Sequence, residues 1–308
     1  MTLLEVDNLK VHFPIRRGLF KNVTDYVRAV DGVSFELQPG EIYGLVGESG
    51  SGKSTIGKSI VNLHRVTSGN ITFQGKNITH LTNTEMKPFR KEIGMIFQDP
   101  YSSLNPKKCV LDIIAEPLRN FHRLTPKQEK ELVQAYLEKV GLSPDSIYKY
   151  PYEFSGGQRQ RIGIARTLTL KPKLIIADEP VSALDVSVQA QVLNFLLDLQ
   201  KEFQLTYLFI GHDLGVIRHI CDRIGVMYRG RIVEEGTSQE IYENPQHIYT
   251  KRLISAIPEL ELINRKKKAL FRKQMGEEYK QSYSHFFDEN GRVYDLKSIT
   301  PTHKVALP

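Results

Sequence analysis

Four short stretches of this chain are apolar from end to end: Ile42–Val46, Ile93–Phe97, Leu174–Ala177 and Tyr207–Ile210. Runs this short, with no alternation, read as strands buried on both faces. With helical patterns between them, they predict a mostly parallel sheet covered by helices on each side. The N-terminal stretch is patterned differently. Leu4-Glu5-Val6 and Leu9-Lys10-Val11-His12-Phe13 alternate, and strand character resumes over Val27–Leu37, so a separate antiparallel β part is expected there. Pro14–Asn22, basic and containing proline and glycine, reads as a loop between them. Turns are expected at Pro39-Gly40, Ser68-Gly69-Asn70 and Gly75-Lys76, and a hairpin over Ile224–Val233 broken at Arg229-Gly230.

Helical periodicity dominates Val110–Leu142, with Leu132, Val133, Tyr136, Leu137 and Val140 on one face. Thr125-Pro126 supplies an N-cap with proline in the first turn, and Gly141 supplies the stop. This block predicts an inserted helical subdomain. A further helix is predicted over Gly156–Leu170, capped by Ser155 and stopped by Lys171-Pro172, and another over Val192–Leu199. In the tail, Glu289-Asn290-Gly291 is a turn. The run Arg265–Lys268 reads as a solvated helix face, contact with anionic lipid head groups being the less favoured reading.

At 308 residues the chain exceeds a single compact core, which predicts one large domain with an appendage. No apolar run reaches membrane-spanning length and the first residues lack the pattern of a signal peptide, so a cytosolic chain is expected. Cys109 and Cys221 are isolated, which supports neither a disulfide framework nor a cysteine metal site. Net charge is +7, of which +4 falls from Glu261 onward. The main domain is close to balanced, which argues against a nucleic-acid groove.

The stretch Gly47-Glu48-Ser49-Gly50-Ser51-Gly52-Lys53-Ser54-Thr55 follows the first apolar strand and opens a helix. That context gives the G-x-x-x-x-G-K-[ST] pattern its meaning. Glycines let backbone N–H groups turn onto phosphate oxygens, and the helix N-terminus adds its positive end. Lys53 brings a point charge to the β and γ phosphates, and the Ser54 hydroxyl suits Mg²⁺. In a parallel sheet, ligands gather at the carboxyl ends of strands. The other three apolar runs end in Gln98, in Asp178-Glu179 and in His212. Asp178 suits the Mg²⁺ shell, and Glu179 suits a general base acting on water. Ser155-Gly156-Gly157-Gln158, at a helix start, is a second anion-binding device. Two such devices in one chain make sense if each closes over the nucleotide of another subunit.

Taken in order, GESGSGKST, Gln98, FSGGQRQR, IIADEP, SALD and His212 resemble the ATP-binding subunit of an ABC transporter over about residues 1–240. The resemblance implies an α/β fold: a P-loop NTPase core over 1–97 and 166–244, a helical signature subdomain over 98–165 and a C-terminal extension over 245–308. It makes Gln98 the Q-loop, Ser155–Gln158 the signature facing the partner's ATP, Asp178 and Glu179 the Walker B pair, Asp185 the D-loop residue and His212 the switch histidine. Glu179, His212 and Gln98 would be catalytic, with Ser54, Gln98 and Asp178 around Mg²⁺. Either Phe13 or Tyr26 would stack on adenine. Gln98–Pro106 and Asn244–Thr250 further resemble the oligopeptide/dipeptide permease branch, with Ile248 where proline is usual, and VSALDVSVQAQV resembles the F-type of its two paired ATPases. The resemblance thus implies ATP and Mg²⁺, a D-type-like ATPase partner, two transmembrane permease subunits, a peptide-binding protein acting through the complex, and a peripheral place at the cytoplasmic face of the membrane. No nucleic acid and, the tail lacking cysteine, no iron–sulfur cluster are expected. A related cargo such as nickel or a glycoside, and a non-transport ABC ATPase, are the alternatives; the 108 positions from Gly47 to Ser155 hold no sustained heptads, which disfavours the latter.

Overall fold

The computed structural model describes residues 2–18, 22–257, 273 and 275–308. Arg265–Lys268 lies outside them. The chain packs as two compact units, one of residues 1–80 and 209–308, the other of residues 81–208.

The first unit begins with β1 (Leu4–Arg17) and β2 (Asn22–Leu37), paired antiparallel along almost their whole length. The expected loop over Pro14–Asn22 is therefore mostly ladder: Pro14 faces Tyr26 and Arg17 faces Asn22. Proline is tolerated because β4 pairs with β1 only as far as Lys10, so Pro14 sits on an edge where no N–H is required. The exposed Arg16 and Arg17 on one strand, and the exposed Val23 and Tyr26 on the other, explain why hydrophobic patterning missed this ladder. Next come β3 (Ile42–Val46), buried throughout, and α1 (Lys53–Ile60). The strand β4 (Ser68–Phe73) takes in the expected turn at Ser68-Gly69-Asn70, because Gly69 with φ near +93° fits against the Asn8 backbone. The two-residue β5 (Lys76–Asn77) completes an antiparallel sheet ordered β2-β1-β4-β5.

The second unit contains α2 (Asn83–Met86), α3 (Phe89–Glu92) and β6 (Ile93–Ile96), then α4 (Pro100–Ser103), α5 (Val110–Phe121) and α6 (Pro126–Lys139). Thr125 caps α6 in a capping box with Gln128. It continues with α7 (Gly156–Leu168), β7 (Leu174–Asp178) and α8 (Val186–Phe203). β6 and β7 pair in parallel from Ile93–Leu174 to Ile96–Ala177. Ile113, Ile114, Val133, Leu137, Ile162 and Leu168 form the buried side of the helices. The chain returns to the first unit along β8 (Thr206–Gly211).

There, α9 (Leu214–Ile217) leads to β9 (Arg223–Tyr228), which pairs in parallel with β3, and to β10 (Arg231–Thr237), its hairpin partner. Then follow α10 (Ser238–Glu243) and α11 (Ile248–Ser255). Two strands absent from the sequence expectations close the chain. β11 (Leu296–Ser298) and β12 (Lys304–Ala306) form a hairpin, and β12 pairs with β10 at Glu234 and Glu235.

Candidate functional site

In the first unit the loop Gly47–Thr55 turns tightly between β3 and α1. Gly52, the residue before α1, has φ near +108°, and a Cβ there would lie 2.0 Å from the Ala29 carbonyl. Only glycine fits. Having no side chain, it cannot cap α1, and the positive end of the helix dipole faces the loop. Lys53 is 3 % exposed, and its ammonium is folded onto its own loop, donating to Gly47 O at 2.8 Å, Glu48 O at 2.9 Å and Ser51 Oγ at 3.3 Å. Gly230 N–H, in the β9–β10 turn, donates to Ser51 O at 2.9 Å and ties down the loop's far side. Glu48, Ser49 and Gly50 are exposed, while Ser54 and Thr55 are half-buried at the start of α1.

Phe13 and Tyr26 belong to the β1–β2 hairpin. Phe13 faces Val27 and Pro14 faces Tyr26, so the two aromatic rings lie on opposite faces of the ladder. Phe13 meets His64 edge-on, with centroids 5.3 Å apart, just beyond the end of α1. His212 follows the end of β8 and is exposed; the next residue, Asp213, caps α9 by accepting Gly215 N–H at 2.8 Å.

In the second unit, Gln98 and Glu179 follow the neighbouring strands β6 and β7. Gln98 Nε2 donates to Glu179 Oε2 at 2.8 Å. Asp178, one residue earlier on β7, is 2 % exposed. Glu179 adopts φ near +47°, an uncommon backbone state for a non-glycine residue, and its carbonyl accepts both the N–H and the hydroxyl of Ser182. That turn leads to Asp185, exposed, whose carbonyl accepts N–H groups from Val188 and Gln189. Asp99 caps α4 through the N–H of Tyr101, a bond that holds its carboxyl below the usual range.

Ser155 caps α7 in a capping box: its hydroxyl accepts Gln158 N–H and Gln158 Oε1 accepts Ser155 N–H at 3.0 Å. Gly157 is buried, and a Cβ on it would come within 2.5 Å of Val188 Cγ1. The glycine lets the start of α7 close on α8. Gly156 faces the Tyr101 ring, over which Arg159 stacks at 4.2 Å. Neither Tyr101 nor Val188 stands out in the sequence, because both act by packing on a glycine distant along the chain.

Among the described residues, no group of three or more His, Cys, Asp or Glu side chains is arranged to hold a metal ion. The donors expected around Mg²⁺ are all oxygens: the Ser54 hydroxyl, the Gln98 amide carbonyl and the Asp178 carboxylate. That chemistry fits Mg²⁺, which is commonly held by one or two carboxylates and by the phosphates of its substrate.

A family model described as ABC transporter matches residues 30–182, and one described as oligopeptide/dipeptide transporter, C-terminal region, matches residues 233–282. The oligopeptide transport ATP-binding protein OppF of Lactococcus lactis subsp. lactis (strain IL1403) is 50% identical over 306 residues, which cover 99% of this chain and 96% of that protein. The chain belongs to the ABC transporter ATP-binding proteins. Its reaction is ATP hydrolysis. The oligopeptide transport ATP-binding protein AppF of Bacillus subtilis (strain 168) is 55% identical over 83% of this chain and 78% of its own. The glutathione import ATP-binding protein GsiA of Escherichia coli (strain K12) is 47% identical over 99% of this chain, though only over 48% of its own. An ATP-binding cassette solved as a dimer in a post-hydrolysis state with ADP and Pi superposes with TM-score 0.68 at 26% identity, covering 77% of this chain and 99% of that one. No helix among the described residues of this ABC ATPase is long and apolar enough to cross a membrane.

Proposed function

We propose that this chain is the ATP-hydrolysing subunit of an importer for oligopeptides or dipeptides. The observation that supports the cargo is the match of its C-terminal region to the oligopeptide/dipeptide transporter model, together with relatives named for oligopeptide and glutathione transport, all peptides. It would work peripherally at the cytoplasmic face, under two membrane-spanning subunits and beside a second ATPase. An external peptide-binding protein would deliver the cargo.

The loop Gly47–Thr55 would hold the phosphates of ATP, with the Lys53 ammonium exchanging its loop carbonyls for β and γ phosphate oxygens. Ser54, Gln98 and Asp178 would surround Mg²⁺, which polarises the phosphates and neutralises developing charge. Glu179 would take the proton of the attacking water, Gln98 would orient its carboxylate, and His212 would sense the γ phosphate. The signature Ser155–Gln158 would close on ATP held by the partner ATPase, and Asp185 would lie at that interface. Phe13 is the aromatic we assign to adenine, since its ring lies beside the segment that leaves α1.

The test uses a tagged chain purified from membranes of its own cell. A second ABC ATPase and two membrane-spanning chains should co-purify, and ATP-dependent uptake of a labelled oligopeptide should vanish in Lys53→Ala. A chain that purifies alone, in cells whose peptide uptake ignores Lys53→Ala, would overturn the reading.

A further inference from the structure

The segment Asn244–Thr250 lies beyond the strands of the nucleotide-binding core, yet it reaches back to the phosphate loop. Its course is fixed by a buried carboxylate. Glu234, fully buried on β10, accepts Gln246 N–H at 2.7 Å and His247 N–H at 3.0 Å. His247 Nδ1 then accepts Tyr249 N–H at 3.1 Å and caps α11. This stands the Tyr249 ring, fully buried, against Tyr228 at the end of β9, with centroids 4.6 Å apart. The Tyr249 hydroxyl accepts Glu48 N–H at 3.1 Å.

That N–H belongs to the Gly47–Glu48 peptide group. The carbonyl of the same group, Gly47 O, accepts from Lys53 Nζ at 2.8 Å. One peptide unit is therefore gripped from both ends, by a phenol on its N–H and by the ammonium on its carbonyl. Rotating the peptide would break both bonds and turn an N–H toward the lysine's positive charge. Donor and acceptor of one amide also polarise each other, so each bond strengthens the other.

We infer that Tyr249 is a positioning residue of the phosphate loop, which holds the Gly47–Glu48 peptide so that Lys53 is set for the β and γ phosphates. The inference rests on the assignment of that loop proposed above. Burial pushes the Tyr249 phenol up to about 12, so the hydroxyl keeps its proton throughout the physiological range and the bond is insensitive to pH there. The capping, the ring packing and the hydroxyl contact explain the residue types at His247 and Tyr249. They ask nothing of position 248, which is consistent with isoleucine standing there.

The test is Tyr249→Phe, which keeps the ring against Tyr228 and removes only the hydroxyl. Tyr279→Phe, a hydroxyl deletion in the same aromatic cluster, serves as the control, since the Tyr279 ring packs on Tyr283 and Phe287. Affinities of the full chain for MgATP and for AMP are read by displacement of a fluorescent ATP analogue. Losing one neutral hydrogen bond should weaken MgATP binding about 3–10-fold. AMP, which lacks the phosphates that Lys53 serves, should bind as before, and Tyr279→Phe should change neither. Unchanged MgATP affinity in Tyr249→Phe, or equal weakening of MgATP and AMP, or an equal effect in Tyr279→Phe, would each overturn the inference. Wild-type MgATP affinity in Lys53→Ala would instead remove the loop assignment itself, a distinguishable failure.

Discussion

The Gln98 side-chain amide donates to the Glu179 carboxylate across 2.8 Å, joining the residues that follow two neighbouring parallel strands. An amide held on one carboxylate oxygen fixes the direction in which the carboxylate points. This is how a base is oriented without being neutralised, since an amide lends a hydrogen bond but no proton. Glu179→Gln keeps the shape and the partner while removing the basic oxygen. Its ATPase turnover should fall by about 10²–10⁴, the usual contribution of a positioned base, with MgATP affinity retained. Phosphate release by the assembled transporter measures the first and nucleotide titration the second; turnover within a factor of about two of wild type would exclude Glu179 as the base.

Gly157→Ala sets two effects against each other. Alanine in place of a helical glycine gains up to about 1 kcal/mol. The new methyl, however, would sit 2.5 Å from Val188 Cγ1, and valine has few rotamers to retreat into. Overpacking of this kind costs about 1–3 kcal/mol, so the clash should win. The melting temperature should fall, and so should ATPase activity, because the start of α7 moves; a higher melting point would refute the account.

The opposite-face placement of Phe13 and Tyr26 lets alanine substitutions separate them. Base–aromatic stacking lost on truncation to alanine is worth about 1–3 kcal/mol where measured for nucleic acids. Phe13→Ala should raise the KM for ATP by about 5–100-fold, while Tyr26→Ala leaves it near wild type. The reverse result would move the adenine contact to the other face.

Two histidines anchor the C-terminal region with opposite signs of pH dependence. Burial lowers His247 to about 3, so it is neutral in the fold, whereas the unfolded chain takes up a proton near 6.5. Stability is therefore lost as pH falls below about 6.5, by up to about 1.4 kcal/mol per unit. His303 is raised, chiefly by its hydrogen bond to Glu234 at 2.7 Å. Its contribution is fully present below about 6.5 and is lost as pH rises through its folded value. Melting temperature against pH should show two limbs, the acid one flattened by His247→Asn and the alkaline one by His303→Asn. Identical profiles in all three proteins would contradict this.

What the sequence made legible followed from local rules. The apolar runs that became β3, β6, β7 and β8 need no partner to be recognised, and the caps at Thr125 and Ser155 are completed by residues three positions on. The order of motifs was enough to mark the nucleotide-binding residues as candidates. What stayed hidden was non-local. The ladder from Pro14 to Arg17 depends on a partner strand with little apolar content, and the contact from Tyr249 to Glu48 spans 201 positions. The strands β11 and β12 are three residues each, too short for a period of two to declare itself.

That last hairpin bears on how the protein can be handled. β12 occupies the flank of β10, where Glu234 and Glu235, both fully buried, find His303 and Lys304 as counter-charges. A chain cut before Leu296 would lose these two positive groups, leaving Glu235 to Arg223 and Glu234 to the N–H groups of Gln246 and His247, and would bare a run of unpaired backbone along β10. An open strand margin of that sort is a template for other chains to add to, so a shortened version should express as aggregate rather than as a smaller soluble enzyme.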